Sequence, residues 1–335
     1  ESLAMLGPMI AARSVSSLRL DFGADDQVIL RLTRNRDYPQ ATFVPLPPAG
    51  LGGPLRLLTP SLDDLHHFAA MAVAAAPSFL PGFFSRPGMA ADMLASDHLN
   101  ALVLEQGGWI QGGVLWHPLT DSCLELYGPY LFSDDPEDRG LTMLLDEAVA
   151  RISRSAYRGL VRRQGALADH ERFFDFLGTL SLRVPEETVH SIVYYRQLKE
   201  ESGGTVYCTE PLASFLAEQY NRLCLPRQVR PASGDPARLR DHSVLAVELE
   251  HSRSLAIIRP LCAGRDMAAN LNSHLHLLRG EGIDNFQVEL NTGRSEDTAF
   301  AAALAAAGFV PRLVIPDAGQ GDLVVYDHSA TDAAP

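Results

Sequence analysis

The sequence predicts an α/β protein made of two successive lobes, and three observations carry that prediction. Short runs such as SLRLDF, NALVLEQ and FQVEL mix strand-forming apolar residues with polar ones, while stretches beginning near Ser61, Leu141 and Met267 repeat apolar residues at helical spacing. The chain has 335 residues, which is about enough for two cores of ordinary size. A pattern of helix, strand and glycine recurs at a fixed offset: Pro136 to Asp266 and Gly178 to Gly308 are both separations of 130 residues. These divide the chain into a hairpin and Pro/Gly linker over 1–54, a first lobe over 55–200 and a second over 201–335.

In chain order, SLRLDF and QVILRLTR flank a turn and predict a hairpin that pairs with one of the lobes. VPLPPAGLGGP is a connector. Ser61 followed by Asp64 resembles a capping box, opening a helix with Leu62, Leu65, Phe68, Ala69, Ala72, Val73 and Ala76 on one face. NALVLEQ and WIQGGVLWH flank Gly107-Gly108 as a second hairpin. LELYGPYLF is a strand in which Pro129 is expected to stop regular pairing. Ser133 or Asp134 caps a helix with Pro136 in its first turn and a stripe from Leu141 to Ile152. YRGLVR is a strand, Phe173 to Leu177 a short aromatic helix ended by Gly178, and LSLRV and SIVYYRQL are strands. The second half offers a helix opened by Thr209 and Pro211, strands SVLAVELE and SLAIIRPLC, and a helix from Gly264 to Gly280. FQVEL, a helix from Ser295 closed by Gly308, and two last strands follow, leaving one strand fewer before the long helix.

Composition excludes more than it names. Lys and Arg number 28 against 41 Asp and Glu, a net charge of −13 that disfavours polyanions, so no nucleic-acid partner is expected. No apolar run reaches the roughly 20 residues that span a bilayer, so no membrane partner is expected and a cytoplasmic location is. Cys123, Cys208, Cys224 and Cys262 are spaced as reduced, mostly buried thiols, and neither His66 with His67 nor His274 with His276 forms a metal pair; no metal is expected. His117, next to Pro118 at a strand end, and His170, before the expected aromatic helix, read as solvent-exposed or hydrogen-bonded histidines and not as bases. No G-x-S-x-G occurs, which argues against a serine hydrolase. The cluster Phe79, Phe83 and Phe84 reads as core packing.

The run GGVLWHPLTDSCLELYGPYLFSDDPEDRGLTMLLDEAVARI, followed by RFFDFLG and, later, by FAAALAAAGFVP, resembles the GNAT N-acetyltransferase superfamily over roughly residues 55–330. The resemblance implies two GNAT-like lobes with mixed, mostly antiparallel sheets packed against helices, arranged in tandem. It implies an acyl-CoA-dependent N-acyltransferase that uses acetyl-CoA or another acyl-CoA, with a small-molecule amine or a protein as partner and a homodimer among the options. The first lobe is the expected site. Carried over by position, the loop that cradles the pyrophosphate falls on Leu131, Phe132, Arg139, Gly140, Leu141 and Thr142, where a helix N-terminus offers free N–H groups. Thr142 stands where the superfamily has a Gly or Ala.

The acidic residues Asp134, Asp135, Glu137 and Asp138 surround Arg139, and Pro136 lacks an N–H, so the same turn reads equally as a solvent-facing helix start stabilised by its acids. In the second lobe Gly264, Arg265 and Asp266 leave no room for such a loop and read as a turn and a cap. The superfamily's proton-donating Tyr falls on Phe174 and Leu304. Glu125 and Tyr127, which alternate on the strand leading to the loop, are the catalytic candidates that replace it, with Tyr130 beyond them. The competing class is a catalytically silent tandem protein that binds a metabolite or a protein.

Overall fold

The computed structural model describes residues 17–22, 28–33, 37–75, 80–133, 138–163, 173–184, 187–201, 203–232, 239–250 and 253–328. Within them, mixed sheets pack against helices. β1 (Ser17–Phe22) and β2 (Val28–Thr33) form the predicted antiparallel hairpin, but as a two-stranded sheet of its own. The two strands satisfy each other's backbone over six residue pairs and enter neither large sheet.

The larger sheet has seven strands: β3 (Arg56–Leu58), β4 (Asn100–Gln106), β5 (Trp109–Pro118), β6 (Cys123–Leu131), β7 (Gly159–Arg162), β8 (Asp175–Val184) and β9 (Glu187–Gln197), in the order β3-β4-β5-β6-β7-β9-β8. Helix α1 (Leu62–Ala75) starts at the predicted box: the Ser61 amide donates to Asp64 Oδ2 at 2.9 Å and the Asp64 amide to Ser61 Oγ at 3.2 Å. α1 and α2 (Pro87–Ala95) place Leu65, Phe68 and Ala90 against Ala101, Val103 and Leu115. On the opposite face α3 (Arg139–Ile152) packs Leu144, Leu145 and Ala148 against Leu102, Leu104 and Val114. Both faces of β4 are therefore covered, which explains why its middle is continuously apolar.

The smaller sheet follows β10 (Gly204–Cys208), α4 (Glu210–Arg222) and β11 (Arg227–Pro231). It consists of β12 (Val244–Glu250), β13 (Leu255–Cys262), β14 (Asn285–Asn291), β15 (Phe309–Ile315) and β16 (Leu323–His328), with α5 (Met267–Gly280), α6 (Ser295–Thr298) and α7 (Ala301–Ala306) between them. Its order, β12-β13-β14-β16-β15, matches β5-β6-β7-β9-β8 of the larger sheet, and the senses agree too: antiparallel, parallel, antiparallel, antiparallel. It has no counterpart of β3 and β4, so its sheet is two strands shorter ahead of the long helix rather than one. β10 and β11 pair in parallel as a separate sheet.

The structure tests three expectations, and two need correction. Asp175–Val184 is strand where a short aromatic helix ending at Gly178 was expected; residues 164–172 lie outside the described residues. Gly178 answers to packing. A Cβ there would stand 3.0 Å from the Arg312 carbonyl and 3.1 Å from Leu313 Cβ, so its bare backbone lets β8 rest on β15 of the other sheet. Second, regular pairing lapses at the cis Gly128-Pro129 step as expected, since neither residue has a partner on β5, but the ladder resumes beyond it with Tyr130 opposite Gly113 and Leu131 opposite Gly112. Third, α3 begins at Arg139, after Asp138 in the left-handed region at φ 49°, and not at Pro136; residues 134–137 lie outside the described residues.

The two sheets share a core in which Leu177, Leu180 and Val193 meet Leu313, Ile315 and Val325. The backbone of β8 is met by side chains from the smaller sheet. Asp327 Oδ2 accepts from the Ser181 amide at 3.1 Å, and Asn285 both accepts from the Arg183 amide at 2.7 Å and donates to its carbonyl at 2.9 Å.

Candidate functional site

β6 and β7 are the parallel neighbours in a sheet whose other pairs are antiparallel, and they pair at three positions only: Cys123 with Gly159, Leu124 with Leu160 and Glu125 with Val161. Beyond that point β6 runs on to Leu131 while β7 ends at Arg162, so the strands part. Side chains alternate across β6. Leu124 and Leu126 enter the core under α3, which sends Glu125 and Tyr127 to the opposite face, Tyr127 into the core beneath α1 and α2.

Glu125 and Tyr127, paired on sequence grounds, are in contact: the Tyr127 hydroxyl lies 3.1 Å from Glu125 Oε2. The structure adds two partners. His117, opposite Glu125 across the β5–β6 ladder, brings Nε2 to 2.6 Å from the Tyr127 hydroxyl and stacks its ring on Tyr127 at 5.3 Å. Its Nδ1 faces the Pro118 carbonyl at 2.8 Å, which can only accept, so Nδ1 carries a proton, and Nε2 of the neutral ring is a second acceptor, beside Glu125 Oε2, for the single Tyr127 hydroxyl proton. Arg163, just past β7, grips Glu125 with two bonds, Nε to Oε1 and Nη2 to Oε2, both 2.9 Å.

Glu125 is only 2% exposed. Burial alone would raise its carboxyl, but the Arg163 guanidinium overrides burial and holds it below the ordinary carboxylate range. A carboxylate held in that way is a weak base. Burial, followed by the Glu125 charge, pushes the Tyr127 phenol well above its usual value, so it stays protonated and can donate. The ring packs edge-on against Phe83 at 5.4 Å; Phe83 and Phe84 are core, and Phe79 lies outside the described residues.

The expected cofactor residues fall in two groups. Leu131 closes β6, and the Phe132 amide is already spent on the Gln111 carbonyl at 2.8 Å. Arg139, Gly140, Leu141 and Thr142 form the first turn of α3: Arg139 is exposed, Leu141 is buried under the helix, and the Thr142 hydroxyl turns back to the Asp138 carbonyl at 2.6 Å. Between the parting strands lies Arg162, 1% exposed, whose Nε donates to the Gly128 carbonyl at 2.8 Å. Among the described residues, its Nη2 and the Tyr130 hydroxyl are buried without a hydrogen-bond partner.

In the smaller sheet β13 and β14 also part, after Ile258 and Val288, but the chain itself enters there. The Tyr207 amide of β10 donates to the Thr292 carbonyl at 2.7 Å, Thr209 Oγ1 donates to the Thr298 carbonyl at 3.2 Å, and α6 packs on both strands with Asp297 and Thr298 buried.

Sequence reasoning missed His117, Arg163 and the chain's own filling of the second opening. His117 was legible in one respect, since the register of a hairpin closing near residues 119–122 sets it against Glu125.

Solved structures similar to this chain include an N-acetyltransferase from Staphylococcus aureus Mu50, at 17% identity over 44% of this chain and 100% of that one, TM-score 0.38. A putative acetyltransferase from Salmonella typhimurium with acetyl-CoA matches at 12% identity over 44% and 96%, TM-score 0.38. A GNAT family acetyltransferase from Brucella melitensis in complex with acetyl-CoA matches at 19% over 36% and 82%, TM-score 0.31. No protein-family model and no curated protein matches the chain. Among the described residues no helix is long and apolar enough to cross a membrane.

Proposed function

We propose that the lobe built on the larger sheet binds an acyl-CoA where β6 and β7 part and transfers the acyl group to an amine. The observation that carries the reading is the three-residue parallel pairing followed by divergence, with the fourteen-residue helix α3 as the next described element after β6. An extended thioester arm can lie along the unpaired stretch of β6, and the N-terminus of α3 at Arg139 and Gly140 suits a diphosphate. The corresponding opening of the smaller sheet is taken by β10 and α6, which supports assigning the activity to the first lobe.

In this reading the amine nitrogen attacks the thioester carbonyl carbon, the C–N bond forms and the C–S bond breaks. The proton lost by the amine passes to the Tyr127 oxygen as the Tyr127 hydroxyl proton moves to His117 Nε2; the departing sulfur takes a proton back as the pair resets. Glu125, held ionised by Arg163, orients Tyr127 rather than acting as the base.

A second reading is favoured by Arg162, which already occupies the Gly128 carbonyl that an extended ligand would use. There the lobe binds its ligand without transferring a group. Calorimetric titration with acetyl-CoA and with free CoA tests both. The first reading expects micromolar binding that weakens with salt, and turnover with an amine. Binding without turnover over a panel of amines selects the second, and no heat and no thermal shift at millimolar ligand overturns acyl-CoA binding altogether.

A further inference from the structure

We infer that Glu289, on β14 of the smaller sheet, is a positioning residue for the Tyr127–His117 pair, so that the second lobe supports the site of the first. The inference deepens the reading above and rests on it for its catalytic meaning. The geometry is a continuous chain of ion pairs across the junction. Arg163 spends Nε and Nη2 on Glu125, and its third arm, Nη1, donates to Glu289 Oε1 at 2.7 Å. Glu289 Oε2 accepts from Arg259 Nε on β13 at 2.6 Å, and Arg259 Nη1 donates to Glu248 on β12 at 2.7 Å.

Burial falls off along this chain in an instructive way. The side chains of Glu125 and Glu289 are 3% and 5% exposed, Arg163 is 16%, Arg259 32% and Glu248 56%. The charge relay thus starts in water on the second lobe and ends in the interior beside Tyr127. A guanidinium bound to one carboxylate by two arms can still swing with it; a third bond in a different direction locks its plane. Glu289 supplies that bond. It also shares the Arg163 charge with Glu125, so the field that Tyr127 and His117 feel depends on a residue that touches neither.

Other charges face the pair. Glu250 of β12 acts on Tyr127 and is itself ion-paired with Arg253, and Glu125 lies on the same strand. Phe83, from the segment between α1 and α2, contributes an uncharged ring. Glu250, Arg253 and Phe83 are the same residues in every variant, so the comparison reads the change at Glu289 or Arg259.

The test follows the His117 ring by nitrogen-15 NMR in the full chain, assigned with His117→Gln, as pH is varied. Glu289→Gln removes a negative charge and should shift the His117 titration midpoint downward. Arg259→Gln, at a more exposed position, removes a positive charge and should shift it upward by a smaller amount. Glu289→Asp should restore most of the wild-type midpoint. An unchanged midpoint in folded Glu289→Gln, or shifts of one sign in both Gln variants, overturns the inference; if Glu289→Gln does not fold, the direction of the Arg259→Gln shift decides. Because the ring is read without substrate, failure here is distinct from failure to bind acetyl-CoA. Where transfer is measurable, the limbs of the pH–rate profile should move in the same directions.

Discussion

The openings of the two sheets arise in the same way and end differently. In both, a parallel pair starts in register and then separates, after Glu125 and Val161 in one sheet and after Ile258 and Val288 in the other. The smaller sheet closes its opening with backbone, through β10 and α6, whereas the larger meets its own with arginines, Arg162 bonded to Gly128 and Arg163 to Glu125. Strand order therefore creates a gap, and the residues that follow decide whether it becomes core or a place where charge is held. The backbone filling is part of the fold itself, with the Tyr207 amide bonded to the Thr292 carbonyl just past β14. An arginine side chain can be drawn aside.

The largest expected effect breaks the charged side of that comparison. Arg163→Ala leaves two buried carboxylates, Glu125 and Glu289, without their shared partner, and should cost about 3–5 kcal/mol at pH 7 in chemical denaturation. Part of that loss should return as pH falls toward 4, where both carboxyls can bind protons. Wild-type stability contributed by Glu125, whose carboxyl is held below its ordinary value, runs the other way: it is present above about pH 5 and lost as pH falls below that. A loss for Arg163→Ala under 1 kcal/mol would show that the interface does not depend on the pair.

The next prediction sharpens the backbone-filled side. Burial pushes the Asp297 carboxyl up to about 7, with Arg294 at 3.6 Å compensating only in part. A raised acid is stabilising as the neutral form, so the native state loses stability as pH rises from about 4 to 7. Asp297→Asn should match the wild type near pH 4 and exceed it at pH 8 by roughly 2–4 kcal/mol, measured as urea midpoints at the two values. Equal stability at pH 8 would mean that the carboxylate finds a partner there.

The smallest effect concerns the junction. Gly178→Ala introduces a Cβ 3.0 Å from the Arg312 carbonyl, a backbone atom with little freedom to retreat, and should lower stability by about 1–3 kcal/mol. The same substitution at Gly280, which has nothing within 4 Å, should be neutral or mildly stabilising. Equal behaviour of the two variants in thermal melts would place the sheets further apart than described.

How far the sequence was legible varies with the distance over which the responsible interaction acts. The Ser61–Asp64 box, the Gly107-Gly108 hairpin and the α3 stripe are short-range devices, and each lies where residue type and spacing put it. The aromatic helix at Phe173–Leu177 was misread because Gly178 looked like a helix stop, when its reason is a strand more than a hundred residues away. Glu125 and Tyr127 were legible as neighbours because they lie two apart on one strand. His117 was within reach of hairpin register. Arg163 was not, since nothing in YRGLVRR tells that both of its last two arginines turn inward, each to a different partner.

By itself, then, the sequence determined the α/β alternation, the hairpins and the apolar faces of the helices, all of which follow from local periodicity and turn chemistry. Only the tertiary structure decided that Glu125 would be clamped and that its clamp would belong to both sheets. Arg163 finds its two carboxylates 38 and 126 residues away. A buried charge must find its counter-charge wherever packing delivers one, and packing is settled between elements that carry no record of each other in their local pattern.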